Sequence, residues 1–116
     1  MAYDTIADVT QQVIAANSGA TWAPTAQKIF AVVSYVGHKN RVAREVYSLS
    51  LKLFPKETDQ PLALYRIAKA SERLLDYKSA DKFYKKLVTD FPNSPLVTPA
   101  KERMTEIEGV YLEFVQ

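Results

Sequence analysis

Residues 64–92 read LYRIAKASERLLDYKSADKFYKKLVTDFP, and the two periodicities inside this stretch decide how the rest of the chain is read. Leu64, Ile67, Ala68, Ser71, Leu74 and Leu75 recur at spacings of three and four, which predicts one apolar stripe on a first helix. Asp76-Tyr77-Lys78 interrupts the stripe. Ser79 then offers an N-cap to a second helix, whose inner face would carry Ala80, Phe83, Tyr84, Leu87 and Val88. Phe91-Pro92 closes the unit, because proline cannot donate in a helix and disfavours a helical residue before it. Ala68 and Ala80 are small enough to let two helix backbones approach.

Working outward, the same arrangement occurs 37 residues earlier. Ala43, Val46, Tyr47, Phe54 and Pro55 fall on Ala80, Phe83, Tyr84, Phe91 and Pro92, and Pro24, Phe30 and Ala31 fall on Pro61, Ile67 and Ala68. Small, aromatic and proline positions matched in order indicate an internal repeat. A further step of 37 residues places Ile6 and Thr10 at the positions of Ala43 and Tyr47. The first helix, starting at Asp4 or Thr5, is then the second half of a hairpin. Its expected face is Ile6, Val9, Val13 and Ile14, and Asn17-Ser18-Gly19 is its stop. Further helices are expected from Ala23 to Val36-Gly37, from Arg41 to Phe54, and from Pro99 to Phe114 with Met104, Ile107, Val110, Tyr111 and Phe114 on one side.

A helix–turn–helix unit of this length with these residues resembles the tetratricopeptide (TPR) repeat. The resemblance implies an all-α fold, a TPR-like right-handed superhelix of antiparallel helix hairpins with about six helices. Residues 1–19 would be a half-repeat helix, 22–58 and 60–94 two whole repeats, and 96–116 a closing helix. Beginning in mid-repeat is expected either of a fragment of a longer array, the preferred reading, or of a degenerate N-terminal cap. The ending FPNSPLVTPAKERM (Phe91 to Met104) is similar to one TPR subgroup. That subgroup includes the periplasmic coordinator of the Tol-Pal system and the outer-membrane assembly lipoproteins of bacteria. The chain departs from the pattern at the turns. Leu75-Asp76 and His38-Lys39 stand where Leu-Gly is common, and Ser34 and Ser71 replace an aromatic residue of the first helix.

Composition sets the outer bounds. At 116 residues, 47% hydrophobic and 24% charged, the chain suits one ordinary globular domain. A net charge of +2 is too small to argue for nucleic acid. The absence of cysteine excludes disulfides, thiolate metal sites and a cysteine nucleophile, and the single histidine, His38, excludes a multi-histidine metal site. No apolar run reaches 18 residues, so direct membrane insertion is not expected. The first residues carry no basic and apolar leader; a periplasmic setting would require a longer precursor, and otherwise the cytoplasm is the expectation. There is no P-loop, dinucleotide fingerprint, HExxH or Gly-x-Ser-x-Gly. No catalytic residue, metal ligand or cofactor is therefore assigned.

What remains is binding. In a TPR stack the first helices of the hairpins line the concave surface, and their outward positions here hold Lys28, Ile29, Val32, Tyr35, Val36, Tyr65, Arg66, Lys69, Glu72 and Arg73. Arg66, Lys69 and Arg73 share one helix face. With Lys28, Tyr35 and Tyr65 beside them they would form a basic, aromatic-flanked groove for an acidic or C-terminal peptide segment. The alternative is an ordinary solvated face with Glu72 and Asp76 as local partners. Repeats that clamp a terminal carboxylate use paired asparagines, and Val32 and Lys69 stand there instead. Lys78, Lys82, Lys85 and Lys86 read as a solvated convex face, without aromatic interleaving for nucleic acid. Glu102, Glu106, Glu108 and Glu113 read as solubilising charge, and His38 as a turn residue. Trp22 is expected to staple the first helix to the second, or else to anchor a partner. The function these features suggest is a non-catalytic protein–protein adaptor, placed by the subgroup resemblance in the bacterial cell envelope. The second reading is homo-oligomerisation through exposed repeat ends, with Val110, Tyr111, Leu112, Phe114 and Val115 crowded on the last helix.

Overall fold

The computed structural model describes residues 2–112. Six α-helices follow one another: α1 (Ala2–Ala16), α2 (Ala23–Val36), α3 (Asn40–Leu53), α4 (Gln60–Arg73), α5 (Tyr77–Asp90) and α6 (Val97–Glu106). A π-helical segment, Ile107–Leu112, continues α6. The described residues contain no strand, so the fold is all-α. Phe114, Glu113 and Val115, and the side chain of Leu112, lie outside the described residues.

Capping chemistry explains the boundaries. Pro24 and Pro61 sit in the first turns of α2 and α4, where a missing N–H is harmless. Asp59 caps α4 by accepting from the Leu62 N–H at 3.2 Å. The cap of α5 is Asp76, not Ser79: its carboxylate accepts from the Ser79 N–H at 3.2 Å. Serine was the nearest hydroxyl before the apolar run, but Asp76 lies where the backbone leaves the helical region. It therefore meets the free N–H groups of the first turn. Phe54 and Phe91, each before a proline, end α3 and α5 with matching backbone geometry, φ −133 in both.

The turns within the two hairpins are also equivalent. After α2, Lys39 N–H donates to Ser34 O and His38 N–H to Tyr35 O; after α4, Asp76 N–H donates to Ser71 O and Leu75 N–H to Glu72 O. This is the Schellman pattern, which needs a left-handed residue just beyond the helix. His38 (φ 56) and Leu75 (φ 63) take that conformation. Leu74 and Leu75 consequently leave the apolar stripe expected of them and are exposed.

The core runs along the stack in connected clusters. Ala31 of α2 packs with Val42, Val46 and Tyr47 of α3 and with Ala63 and Ile67 of α4. Leu64 and Ala68 of α4 pack with Ala80, Tyr84 and Leu87 of α5 and with Ala100 and Ile107 beyond it. Each first helix is thus wedged between its own second helix and the next hairpin, which is how stacked units bury a face that none could bury alone. At Ser34 the missing aromatic is supplied by α1, since the Tyr3 hydroxyl lies 2.6 Å from Ser34 Oγ. At Ser71 the neighbour is Arg44 of α3, 3.3 Å away.

Helix α1 departs from expectation. Its buried residues are Ala7 and Ile14, whereas Ile6, Val9 and Val13 are exposed. Ala7, Gln11 and Ile14 repeat the spacing of Ala43, Tyr47 and Ser50, so the step between these helices is 36 residues. The expected 37 aimed the wrong face inward. Gln11 occupies the tyrosine position, exchanges hydrogen bonds with the buried Gln27, and leaves Gln27 to donate to Val46 O at 2.9 Å. Asp4 anchors the other end of α1 to Arg41. At the far end, α6 begins at Val97, two residues before Pro99, because Ser94 organises the turn: its N–H donates to Phe91 O and its Oγ accepts from Leu96 N–H. Ile107 is buried and Tyr111 stacks on Tyr77 at 4.1 Å, but Val110 is exposed.

Candidate functional site

The first helices of the hairpins, α2 and α4, bring four of the six expected site residues into one region. Tyr35, from the last turn of α2, is the platform. The Arg66 guanidinium lies 4.6 Å from its ring centroid and that of Arg73 lies 4.5 Å from it. Arg66 and Arg73 are two turns apart on α4, so one ring between them fixes both. Arg73 also donates to Tyr35 O at 3.4 Å. Arg66 donates to the Tyr47 hydroxyl at 2.7 Å, and the Tyr35 and Tyr47 rings meet edge to face at 6.4 Å. Burial raises the Tyr47 hydroxyl above its ordinary value despite the guanidinium beside it, so Tyr47 stays a neutral acceptor. Lys69 is half-buried on α4 between the arginines in sequence.

One repeat further on, the equivalent stack has different chemistry. Glu72, Tyr84 and Arg103 stand 37 residues after Tyr35, Tyr47 and Arg66. Arg103 donates to both Glu72 oxygens, at 2.5 and 3.2 Å, and the Tyr84 hydroxyl donates to Glu72 Oε2 at 2.5 Å. Burial alone would raise the Glu72 carboxyl, but the Arg103 and Tyr84 hydrogen bonds outweigh it and hold the group below the usual carboxylate range. Tyr84, desolvated and facing that carboxylate, is pushed far upward. Tyr65 packs edge to face on Tyr84 at 5.5 Å. Tyr65 therefore belongs to this second stack, and Glu72 is tied to α6 rather than serving as a local partner of the α4 cations.

Lys28 stands apart. It is exposed at the mouth of a pocket of about 110 Å³ between α2, α3 and the turn into α4, where Val32, Tyr47, Glu57 and Asp59 also line the wall. Two contributors escaped the sequence reading. Tyr47 was placed in the core, and Arg103 was passed over although it repeats Arg66 at the same 37-residue step.

The ion pairs distinguish the two stacks. Arg41, Arg44, Lys85, Lys86 and Arg103 each reach a carboxylate. Among the described residues, Lys28, Arg66, Lys69 and Arg73 reach none. Lys85 joins Asp81 at 2.9 Å and Glu108 at 3.1 Å, and Lys86 joins Asp90, both lysines being exposed. Asp81 itself is buried, with Oδ1 unpartnered. Burial raises its carboxyl above the ordinary value, with Lys85 opposing and Glu108 reinforcing the rise. Trp22 is half exposed at the start of α2 and makes no side-chain cap bond.

Wedged antiparallel hairpins with repeating inter-hairpin tyrosines and arginines define a helical-repeat solenoid. Residues 62–94, which span most of α4 and all of α5, match the tetratricopeptide repeat family. The match is to one hairpin, and repeats of that family generally mediate protein–protein interaction without catalysis. No curated protein is significantly similar to the chain.

Proposed function

We propose that the chain is a non-catalytic adaptor that holds an acidic peptide or helix against the half-buried faces of α2 and α4 that carry Tyr35, Arg66, Lys69 and Arg73. The observation that carries this reading is the stack of Arg66 and Arg73 on Tyr35, with no carboxylate of the described residues paired to either. A guanidinium already oriented by a ring loses less freedom when it takes a carboxylate in bidentate geometry. Lys69 adds charge to the same face, whereas Lys28, at the neighbouring pocket, and Tyr65, packed on Tyr84, lie outside it. A cell-envelope setting is the finer form of this proposal and rests on the subgroup resemblance of roughly Pro61 to Met104, sharpest over Phe91–Met104. The Ser94 hydrogen bonds account for part of that motif as turn chemistry.

The test is a fluorescence-anisotropy titration with a short labelled peptide of alternating glutamate and leucine, and with its lysine counterpart. Saturable binding of the acidic peptide alone is expected. Arg73→Ala should weaken it about tenfold or more, the worth of one charged hydrogen bond. Equal binding of both peptides, or an unchanged affinity in Arg73→Ala, would overturn the assignment.

A further inference from the structure

Helices α1 and α2 each carry a second apolar face that points to solvent. On α1 it consists of Ile6, Val9 and Val13, which are 64%, 55% and 50% exposed; on α2 of Ile29, Val33 and Val36, at 58%, 56% and 65%. Spacings of three and four put each set on one stripe. Neither stripe contains a charge, because at about 100° per residue Asp4, Asp8 and Lys28 fall on other faces of their helices. Between the stripes runs a trough of about 470 Å³, with Tyr3, Ile6 and Thr10 on one wall and Ala26, Ile29 and Val33 on the other.

The internal repeat shows what shape fits there. The trough lies between a helix packed like α3 and a helix packed like α4. In the next hairpin the corresponding space, between α3 and α4, is filled by α2; one step further, between α5 and α6, it is filled by α4. The residues lining the filled space, Ala63, Ile67 and Ala70, are fully buried. Their equivalents 37 residues earlier, Ala26, Phe30 and Val33, are half exposed or exposed. The trough is therefore a helix-sized space with an uncharged lining.

We propose that the occupant is α1 of a second copy of this chain, exchanged across a two-fold axis. An occupant must bring an uncharged apolar stripe about as long as the trough, and α1 does so with Ile6, Val9 and Val13 over its 15 residues. A two-fold axis lets each α1 enter the other's trough, which covers all six exposed side chains at once and closes the assembly. Two helices of this length side by side present on the order of 400 Å² in flat projection. Side-chain relief brings that towards the roughly 800 Å² per partner of a stable interface. Among the described residues, α6 offers head-to-tail stacking a polar and charged face, with Lys101, Glu102, Thr105 and Glu106 exposed.

Light scattering behind a sizing column, over a concentration series from micromolar to millimolar, tests this directly. The expected mass is twice the 13.1 kDa of one chain. Val33→Glu and Ile6→Glu, both exposed in the single chain, should keep the parent's helical circular dichroism. Each should weaken self-association by about a hundredfold or more, because a carboxylate would be buried unpaired. Leu75→Glu, exposed in the α4–α5 turn and outside the trough, should leave the dimer intact. A single-chain mass throughout, or a dimer that survives both glutamates, would overturn the proposal.

Discussion

Replacing Leu75 with glycine should stabilise the protein, although it deletes a leucine side chain. Leu75 holds the left-handed position of the turn between α4 and α5, with φ 63. For an L-residue that conformation costs about 1–2 kcal/mol relative to the right-handed one, because Cβ crowds the following carbonyl. The side chain recovers little of this, being 72% exposed. Glycine removes the strain but adds freedom to the unfolded chain, a penalty of about 0.5–1 kcal/mol. The difference leaves a gain of about 0.5–1 kcal/mol, or about 2–5 °C in Tm for a chain of this size. Both turn hydrogen bonds, from Leu75 N–H to Glu72 O and from Asp76 N–H to Ser71 O, survive the change. Equilibrium urea unfolding followed by circular dichroism measures the shift, with an unchanged slope showing that the unfolded surface is the same. Leu74→Gly is the control: Leu74 has φ −91, so glycine relieves nothing there and should destabilise. His38→Gly should behave like Leu75→Gly. The first turn already has a glycine, but Gly37 sits one residue early, at φ −79. A midpoint for Leu75→Gly at or below the parent's would refute the strain account.

Two further substitutions probe the packing and the charged stack. Ala80→Leu should destabilise by about 1–3 kcal/mol through overpacking, because Ala80 is fully buried against α4; an unchanged urea midpoint would show that the hairpin contact lies elsewhere. Glu72 titrates below its ordinary value in the folded protein. Its contribution is therefore complete above the unfolded pKa near 4.5 and is lost as pH falls through the lower folded value. Glu72→Gln should flatten the acid limb of the stability–pH curve, and Glu72→Ala should cost about 2–3 kcal/mol at neutral pH by stranding Arg103 and Tyr84. Acid unfolding identical in the parent and in Glu72→Gln would remove Glu72 from the stack.

Helices α2 to α5 were legible because their signals are local and repeated. Phe-Pro at Phe54 and Phe91 marks an end that only backbone geometry can explain, and Ala43 and Ala80 with Tyr47 and Tyr84 mark a close helix contact. Periodicity alone would have given the helices; the shared 37-residue step gave their pairing. The Asp76 cap and the exposure of Leu74 and Leu75 were missed for one reason. The turn consumes residues that the apolar pattern had assigned to the helix, and only the left-handed residue at position 75 shows where α4 stops.

Helix α1 shows where periodicity stops deciding. It carries apolar residues on two sides, and a stripe of Ile6, Val9 and Val13 scores as well as one of Ala7 and Ile14. Choosing between them needs the register, and a register carried from the later hairpins is wrong by one residue, enough to turn a helix by about 100°. The partner of Gln27 would have settled it. Gln27 stands where Leu64 stands in the next repeat, and a buried amide at a leucine position requires a polar neighbour. Gln11 is that neighbour only if Ala7, not Ile6, faces inward. The cation site was half legible for the same geometric reason. Arg66, Lys69 and Arg73 share a face on any α-helix, but the Tyr35 ring lies on another helix. Its place between the two guanidiniums follows from how closely α2 and α4 approach, and the small residues Ala31 and Ala63 set that approach.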